Sequence, residues 1–146
     1  MAAAGEHFDV FVSCSFSSKV NYDTGEVDPN YREYVEGILR QVRGLGLTAF
    51  CAIEYEGWRI GEEPPEVGVD VDLDTIDVSD MLLVLIGNDK SDGRSDEQGY
   101  ARGKGIPVYF MKEPDVTKLS YWNQGLVNAG RVTLVESVDN FLYKEC

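Results

Sequence analysis

A fully apolar run, Met81–Ile86, precedes an acidic, glycine-containing segment at 91–101 that holds the residues best suited to chemistry. The run predicts a buried central strand, and Ser95-x-x-Gln98 has the form of a capping box at the start of a helix. Glu97 is then expected in the first helical turn, where the helix macrodipole favours an ionised carboxylate. Such a carboxylate beside a glycine-containing bend can act as a nucleophile on a small phosphorylated ligand. The alternative is an ordinary acidic first turn without chemistry.

A second candidate carboxyl group lies on the helix predicted for residues 65–79, which has proline near its start. This helix carries four aspartates, and aspartate is a poor helix former, so at least one of them is a candidate for chemistry. Asp72 lies beside the apolar face formed by Val69, Leu73 and Ile76. A solvated acidic face is the alternative.

The acidic segment at 54–66 shows no clear periodicity, and a segment of this kind inside a compact domain is commonly functional. Its Trp58 is suited either to stacking on a nucleobase or to covering an edge of the core. Both interpretations of Trp58 are open at the level of sequence.

Strands that alternate with helical segments predict an α/β fold with a doubly wound, mainly parallel five-stranded sheet and helices on both faces. The predicted strands are 8–15, 47–53, 81–86, 106–111 and 131–135, and the predicted helices are 31–44, 65–79, the one containing Glu97, 118–129 and 137–143. The polar loop at 16–30 is expected on the ligand side of the sheet. The 146 residues are expected to form one domain, with residues 1–7 disordered.

Composition narrows the classes of partner. The net charge of −13 argues against a nucleic-acid polymer, whose binding depends on a basic face, but leaves a mononucleotide possible. No apolar window is long enough for a membrane span, and the first residues lack the pattern of a signal peptide. Three scattered cysteines, Cys14, Cys51 and Cys146, indicate free thiols in a cytoplasmic protein, and no zinc site, other metal or cofactor is expected.

The pattern as a whole resembles the nucleoside 2-deoxyribosyltransferase family, including its branch of nucleoside 5′-monophosphate N-glycosidases that hydrolyse CMP or hydroxymethyl-CMP. The resemblance covers roughly Phe8 to Met111. It is carried by Val10-Phe11-Val12, by Asp72 and Asp80 at an interval of eight, by Ser91-x-Gly93-x-x-x-Glu97-x-Gly99-x-Ala101 and by Gly105-Ile106-Pro107-Val108.

The resemblance implies roles for individual residues. Glu97 corresponds to the nucleophile that attacks C1′ of the sugar, and Asp72 to the acidic partner that orients the sugar and helps to protonate the leaving base. Ser91 and Gly93 correspond to the phosphate-binding bend, and phenylalanine at position 11 suggests that a ribose 2′-hydroxyl is tolerated. The substrate-binding residues expected on this basis are Phe11, Ser13, Ser15, Trp58, Asp80, Ser91, Gly93, Arg94 and Asn123.

The sequence departs from the family pattern at several positions. Ser13-Cys14-Ser15 stands where glycines are usual, Gln98 follows the glutamate in place of isoleucine or leucine, and Ile106 replaces a lysine. The loop at 17–19 lacks the arginine expected near the phosphate or base. Lys19, Arg94 and Arg59 are the candidate substitutes, and the identity of the base stays open.

The expected function is therefore hydrolysis of the N-glycosidic bond of a nucleoside 5′-monophosphate, with a pyrimidine ribonucleotide such as CMP favoured. Base exchange on a free nucleoside is one alternative. The other is a nucleotide-sensing or interaction domain, because Phe8–Ser13 also resembles the first strand of Toll/interleukin-receptor-like domains. The family resemblance implies a homodimer or larger homo-oligomer, with Tyr121, Trp122 and Asn123 as candidates to reach a neighbouring subunit.

Overall fold

A computed structural model describes residues 6–61 and 63–140. In chain order its elements are β1 (Phe8–Ser13), β2 (Val20–Asn21), β3 (Glu26–Val27), α1 (Pro29–Gly44), β4 (Ala49–Cys51), α2 (Ala52–Tyr55), α3 (Pro65–Asp77), β5 (Ser79–Ile86), α4 (Asp92–Gly103), β6 (Val108–Lys112), α5 (Tyr121–Asn128) and β7 (Thr133–Val135). None of the helices in these two ranges combines the length and hydropathy needed to cross a membrane.

The main sheet has five strands in the order β4-β1-β5-β6-β7, and every neighbouring pair is parallel. β1 lies between β4 and β5, with Phe11 opposite both Phe50 and Leu82. The predicted doubly wound α/β sheet is confirmed. Because all strands run the same way, their carboxyl ends meet at one edge, where folds of this kind bind ligands.

Alternate residues of the strands pack against different helical layers, as the period of two in a strand requires. Val10 and Val12 belong to the core on the side of α1, whereas Phe11 and Leu82 belong to the core that includes Ile76 of α3 and residues of α4 and α5. Ser13, the last residue of β1, follows Phe11 by two positions and therefore points to the layer of α3 and α4.

The clearest predicted helix is confirmed as α1. Asp28 caps it by accepting a hydrogen bond from the Tyr31 amide at 3.0 Å, and Pro29 occupies its first turn. The apolar stripe predicted for this helix is buried: its buried members are Tyr31, Val35, Ile38, Leu39 and Val42.

The structure differs from the predicted elements mainly in the connections. The polar loop contains the short antiparallel pair of β2 and β3, and the segment after β4 begins with the four-residue helix α2. The predicted closing helix at 137–143 is helical at 138–140, and residues 141–146 lie outside the described residues. Of the predicted disordered residues 1–7, the first five also lie outside the described residues, whereas His7 hydrogen-bonds Asp80 at 2.9 Å.

Candidate active site

A cavity of about 750 Å³ opens at the carboxyl edge of the sheet, where β1, β4 and β5 end. Its walls come from the ends of these strands, from α3 and from the start of α4. The polar and charged residues that line it are Ser17, Ser18, Glu56, Glu63, Asp72, Lys90, Ser91, Asp92, Arg94 and Glu97, and its apolar lining includes Val12, Phe16, Ile53, Pro64, Pro65 and Val69. The volume is in the range of small-molecule sites.

Two carboxyl groups face each other in the wall of this cavity. Asp72 of α3 and Glu97 of α4 are in hydrogen-bond contact through their side chains. Ser13 approaches Glu97 from the end of β1, and its hydroxyl donates to Oε1 of Glu97 at 2.7 Å. Glu97 and Ser13 are both buried. The sheet and two helices thus bring together three side chains that are distant in sequence.

Burial makes both carboxyl groups hard to ionise, and the charge of Asp72 adds to this effect at Glu97. The pKa of Asp72 is raised to about 6, mainly by burial and to a smaller extent by the charge of Glu56, while the hydrogen bond with Glu97 acts in the opposite direction. Burial, followed by the charge of Asp72, holds the pKa of Glu97 well above its usual range, although the Ser13 hydrogen bond lowers it. The pair therefore retains one shared proton above about pH 6.

The start of α4 differs from the prediction. The helix is capped by Ser91, whose backbone is extended and whose hydroxyl accepts from the Arg94 amide at 3.2 Å, so the predicted capping box at Ser95 is wrong. The helix begins at Asp92, which makes Glu97 its sixth residue and places it beyond the first turn. The expectation that the macrodipole keeps Glu97 ionised is therefore wrong as well, since the dipole effect is confined to the first turn and burial dominates.

Arg94 joins the loops that follow β1 and β5. Its guanidinium donates to the Ser15 hydroxyl at 2.7 Å, to the Leu85 carbonyl at 3.2 Å and to the Asp89 carbonyl at 2.7 Å, and it lies 3.5 Å from the Asp89 carboxylate. The side chain is buried yet also contributes to the cavity wall. Most of its donors are thus used within the protein.

No protein-family model and no curated protein matches the sequence. Solved structures match it at low identity. The solution structure of BlsM is 24% identical, with a TM-score of 0.71 over 98% of this chain and 88% of that chain. The CMP N-glycosidase BcmB of Clostridium botulinum is 17% identical, with a TM-score of 0.54 over 87% of this chain and 86% of that chain. The 2-deoxyribosyltransferase of Bacillus psychrosaccharolyticus is 16% identical, with a TM-score of 0.55 over 88% and 97%.

The chain has the nucleoside deoxyribosyltransferase fold. Within this fold, five of the predicted site residues line the cavity: Asp72, Ser91, Gly93, Arg94 and Glu97. Ser13 and Ser15 lie behind the cavity wall, where each hydrogen-bonds a residue that forms it. A side chain added at Gly93 would meet nothing within 4 Å, so the bend is open toward the cavity.

Two of the predicted aromatic contacts belong to the core of this fold. Phe11 is 1% exposed and stacks on Phe50 with ring centroids 5.4 Å apart, outside the cavity wall. Trp58 is buried among core residues beside Val27, with the Arg32 guanidinium 5.1 Å from its ring centre. Of the two interpretations left open for Trp58, covering an edge of the core is the one that fits its position.

Two other predicted residues lie away from the cavity. Asp80 is the second residue of β5, at the amino end of that strand, and its exposed carboxylate bonds His7. With Asp9 these two residues bring ligand-type atoms within 4.8 Å of one another, at the edge opposite the cavity. Asn123 lies in the first turn of α5, outside the cavity of its own chain.

Sequence reasoning missed several residues of the site. Glu56 and Lys90 line the cavity, and Glu56 also raises the pKa of Asp72. Cys14 lines the cavity as well, and its sulfur lies 3.9 Å from that of Cys51. A signal existed for Lys90, because it follows the central strand at the carboxyl edge. Glu56 lies in an aperiodic segment, where the sequence does not indicate toward which side of the chain a side chain points.

Proposed function

We propose that the protein hydrolyses the N-glycosidic bond of a nucleoside 5′-monophosphate, with a pyrimidine ribonucleotide such as CMP favoured. The observation that carries the proposal is the contact between Asp72 and Glu97 in the cavity wall. Paired carboxyl groups of unequal pKa are suited to glycoside cleavage, in which one attacks or stabilises C1′ and the other handles a proton. The fold shared with a CMP N-glycosidase supports the choice of a nucleotide.

In the proposed reaction the Glu97 carboxylate attacks C1′ while the bond between C1′ and the base nitrogen breaks. The electron pair of that bond leaves with the base, and Asp72 supplies a proton to it. A water molecule then attacks C1′ of the glycosyl ester and gives its proton to Asp72. This step releases the sugar 5-phosphate and restores Glu97.

The shared proton of the pair fits this cycle. The two groups titrate as a unit and share one proton along their hydrogen bond. Attack requires the transfer of this proton to Asp72, which leaves Glu97 ionised. Positive charge developing at C1′ favours that transfer, because it stabilises the ionised Glu97. Below about pH 6 both groups hold protons and the rate falls, and it falls again when both are ionised.

The phosphate is proposed to bind at the start of α4. Gly93 lies in the first turn of the helix and lines the cavity, so its amide belongs to the set of amino-terminal N–H groups that suit an anion. Lys90 contributes an exposed ammonium group to the same wall. Phe11 lies in the core and gives no support to the preference for ribose. That preference is tested by comparing the rates of base release from CMP and dCMP.

The decisive experiment incubates the protein with CMP, dCMP, UMP, AMP, NAD and the matching nucleosides and measures the free base released. Base release from a monophosphate, lost in Glu97→Gln and Asp72→Asn, is expected. Asp74→Asn is the matched control, because Asp74 is an exposed aspartate of the same helix. Absence of release from every monophosphate, with nucleotide binding retained, would contradict the proposal and favour a sensing domain.

A second, labelled base in the same incubation separates hydrolysis from base exchange, which the similarity to a 2-deoxyribosyltransferase keeps as the alternative. Hydrolysis predicts free sugar phosphate and no labelled nucleotide.

We also propose that the protein is a cytoplasmic homo-oligomer that uses the surface of Tyr121 and Trp122, which are 96% and 67% exposed. Sedimentation of the wild-type protein and Trp122→Ala tests this part.

A further inference from the structure

Within residues 6–61 and 63–140, Ser13 is the one strand residue whose hydroxyl hydrogen-bonds the proposed nucleophile, Glu97. Its Oγ donates to Oε1 of Glu97 at 2.7 Å, and the side chain is 1% exposed. Ser13 lies behind the cavity wall, so a ligand in the cavity reaches Glu97 and not Ser13. Its contact is therefore with the carboxyl group alone.

We propose that Ser13 is a positioning residue that holds the Glu97 carboxyl group in the orientation required for attack on the sugar. This inference rests on the proposed function and adds to it a residue that never touches the substrate. Fixing one oxygen of a carboxyl group fixes its plane, and thus the direction of the other oxygen. The anchor is rigid, because Ser13 is paired in register with Val84 of β5 at the centre of the sheet.

The hydrogen bond also counters the groups that oppose ionisation of Glu97. Asp72 faces it from α3, Cys51 lies near it at the end of β4, and Cys14 lies near it after β1. Arg94 is on its own helix with its guanidinium bonded elsewhere. A hydroxyl that donates to a carboxylate favours the ionised form, so Ser13 opposes the effect of burial on the pKa of Glu97.

A purely structural role predicts a different result. A buried serine that only satisfies its own hydrogen bond would change stability when replaced, and leave the pH dependence of the reaction unchanged. Ser79 provides the matched control: it is buried in β5, and its hydroxyl donates to the Thr75 carbonyl at 2.7 Å, at the opposite end of the strand from the cavity.

The kinetic test compares the wild-type protein with Ser13→Ala, Ser13→Thr and Ser79→Ala on the monophosphate that the wild type cleaves. Ser13→Ala is expected to lower kcat at pH 7 by about tenfold to a hundredfold, with KM changed by less than about twofold. Its pH–rate profile should move to higher pH by about one unit, because the ionised form of Glu97 loses a hydrogen bond that favours it. Ser13→Thr, which retains the donor, should recover most of kcat, and Ser79→Ala should keep the wild-type profile. An unchanged pH profile in Ser13→Ala, or an equal shift in Ser79→Ala, would overturn the inference.

A second measurement does not require turnover. In protein labelled with ¹³C at glutamate carboxyl carbons, the titration of Glu97 is followed by NMR in the wild type and in Ser13→Ala. The proposal predicts a higher pKa of Glu97 in Ser13→Ala, and equal values would refute it. If no monophosphate is cleaved but the titration still shifts, the proposed function fails while the contact between Ser13 and Glu97 stands as a determinant of its ionisation.

Discussion

At the scale of single residues, the buried carboxyl group of Asp72 lowers the stability of the folded protein when it is ionised. Because burial raises the pKa of Asp72 to about 6, ionising this group penalises the folded state relative to the unfolded chain. The penalty is absent below the ordinary pKa of 3.8 and is complete above about 6. Residues retained for chemistry are often unfavourable for stability in this way.

Asp72→Asn is therefore expected to stabilise the protein at pH 8 by about 1–3 kcal/mol and to have little effect near pH 4. The amide has nearly the same shape as the carboxyl group and carries no charge to bury. Urea unfolding at the two pH values measures the difference, and Asp74→Asn on the exposed side of α3 is the control. An equal effect of Asp72→Asn at both pH values would show that the buried charge is not the cause.

Sequence reasoning selected Asp72 and Glu97, and the structure brings their side chains together in the cavity wall. It also selected Asp80 and Phe11, which lie elsewhere. For Asp80 the sequence itself holds the reason: the residue lies at the start of the central strand and Glu97 follows the end of that strand. Because a strand of eight residues spans more than about 20 Å, the two groups belong to opposite edges of the sheet. The interval between Asp72 and Asp80 suggested a family resemblance. The edge of the sheet at which Asp80 lies is decided instead by the direction of the strand.

At the scale of elements, the start of α4 forms both a helix cap and the proposed phosphate site. Ser91 and Ser95 have equal capping chemistry and lie four residues apart at the start of the same helix, so sequence could not choose between them. The choice depends on backbone conformation: Ser91 is extended, whereas Ser95 lies inside the helix and its amide donates to the Ser91 carbonyl at 3.1 Å.

Ser91→Ala is expected to lower the free energy of unfolding by about 1 kcal/mol, because it removes the acceptor for the Arg94 amide. Ser95→Ala should be close to neutral or slightly stabilising, since alanine is the better helix former at an exposed helical position. Denaturant unfolding of the two variants gives the comparison. A larger loss in Ser95→Ala than in Ser91→Ala would place the cap where the sequence pattern suggested it.

Strands and long helices were predictable because their apolar patterns are dictated by burial. The short run at 81–86 favours a covered strand by its length, and the apolar stripe of α1 has the spacing of one helix face. The hairpin of β2 and β3 and the helix α2 were not predicted, because both are shorter than the windows in which periodicity can be recognised. Their conformations depend on tertiary contacts such as the hydrogen bond that the Val27 amide of β3 donates to the Trp58 carbonyl at 3.0 Å.

At the scale of the whole molecule, parallel topology explains why the candidate site forms where it does. α3 and α4 pack on the same face of the sheet, on either side of β5 in the chain, so Asp72 and Glu97 face each other at the edge where the strands end. The end of β1 lies beside that of β5 and supplies Ser13. No single segment of sequence contains this arrangement, because it depends on the order of strands in the sheet.

The net charge of −13 acts on any anionic substrate that approaches this edge. We expect KM for the cleaved monophosphate to fall by about twofold or more when ionic strength rises from about 0.01 M to 0.1 M, because the Debye length shortens from about 30 Å to about 10 Å and screens the long-range repulsion. KM for the uncharged nucleoside, where turnover is measurable, should not change. Lys90→Met should raise KM for the monophosphate alone, since it removes a local cation from the cavity wall. A rise of KM with salt in the wild type would mean that local attraction outweighs the field of the whole protein.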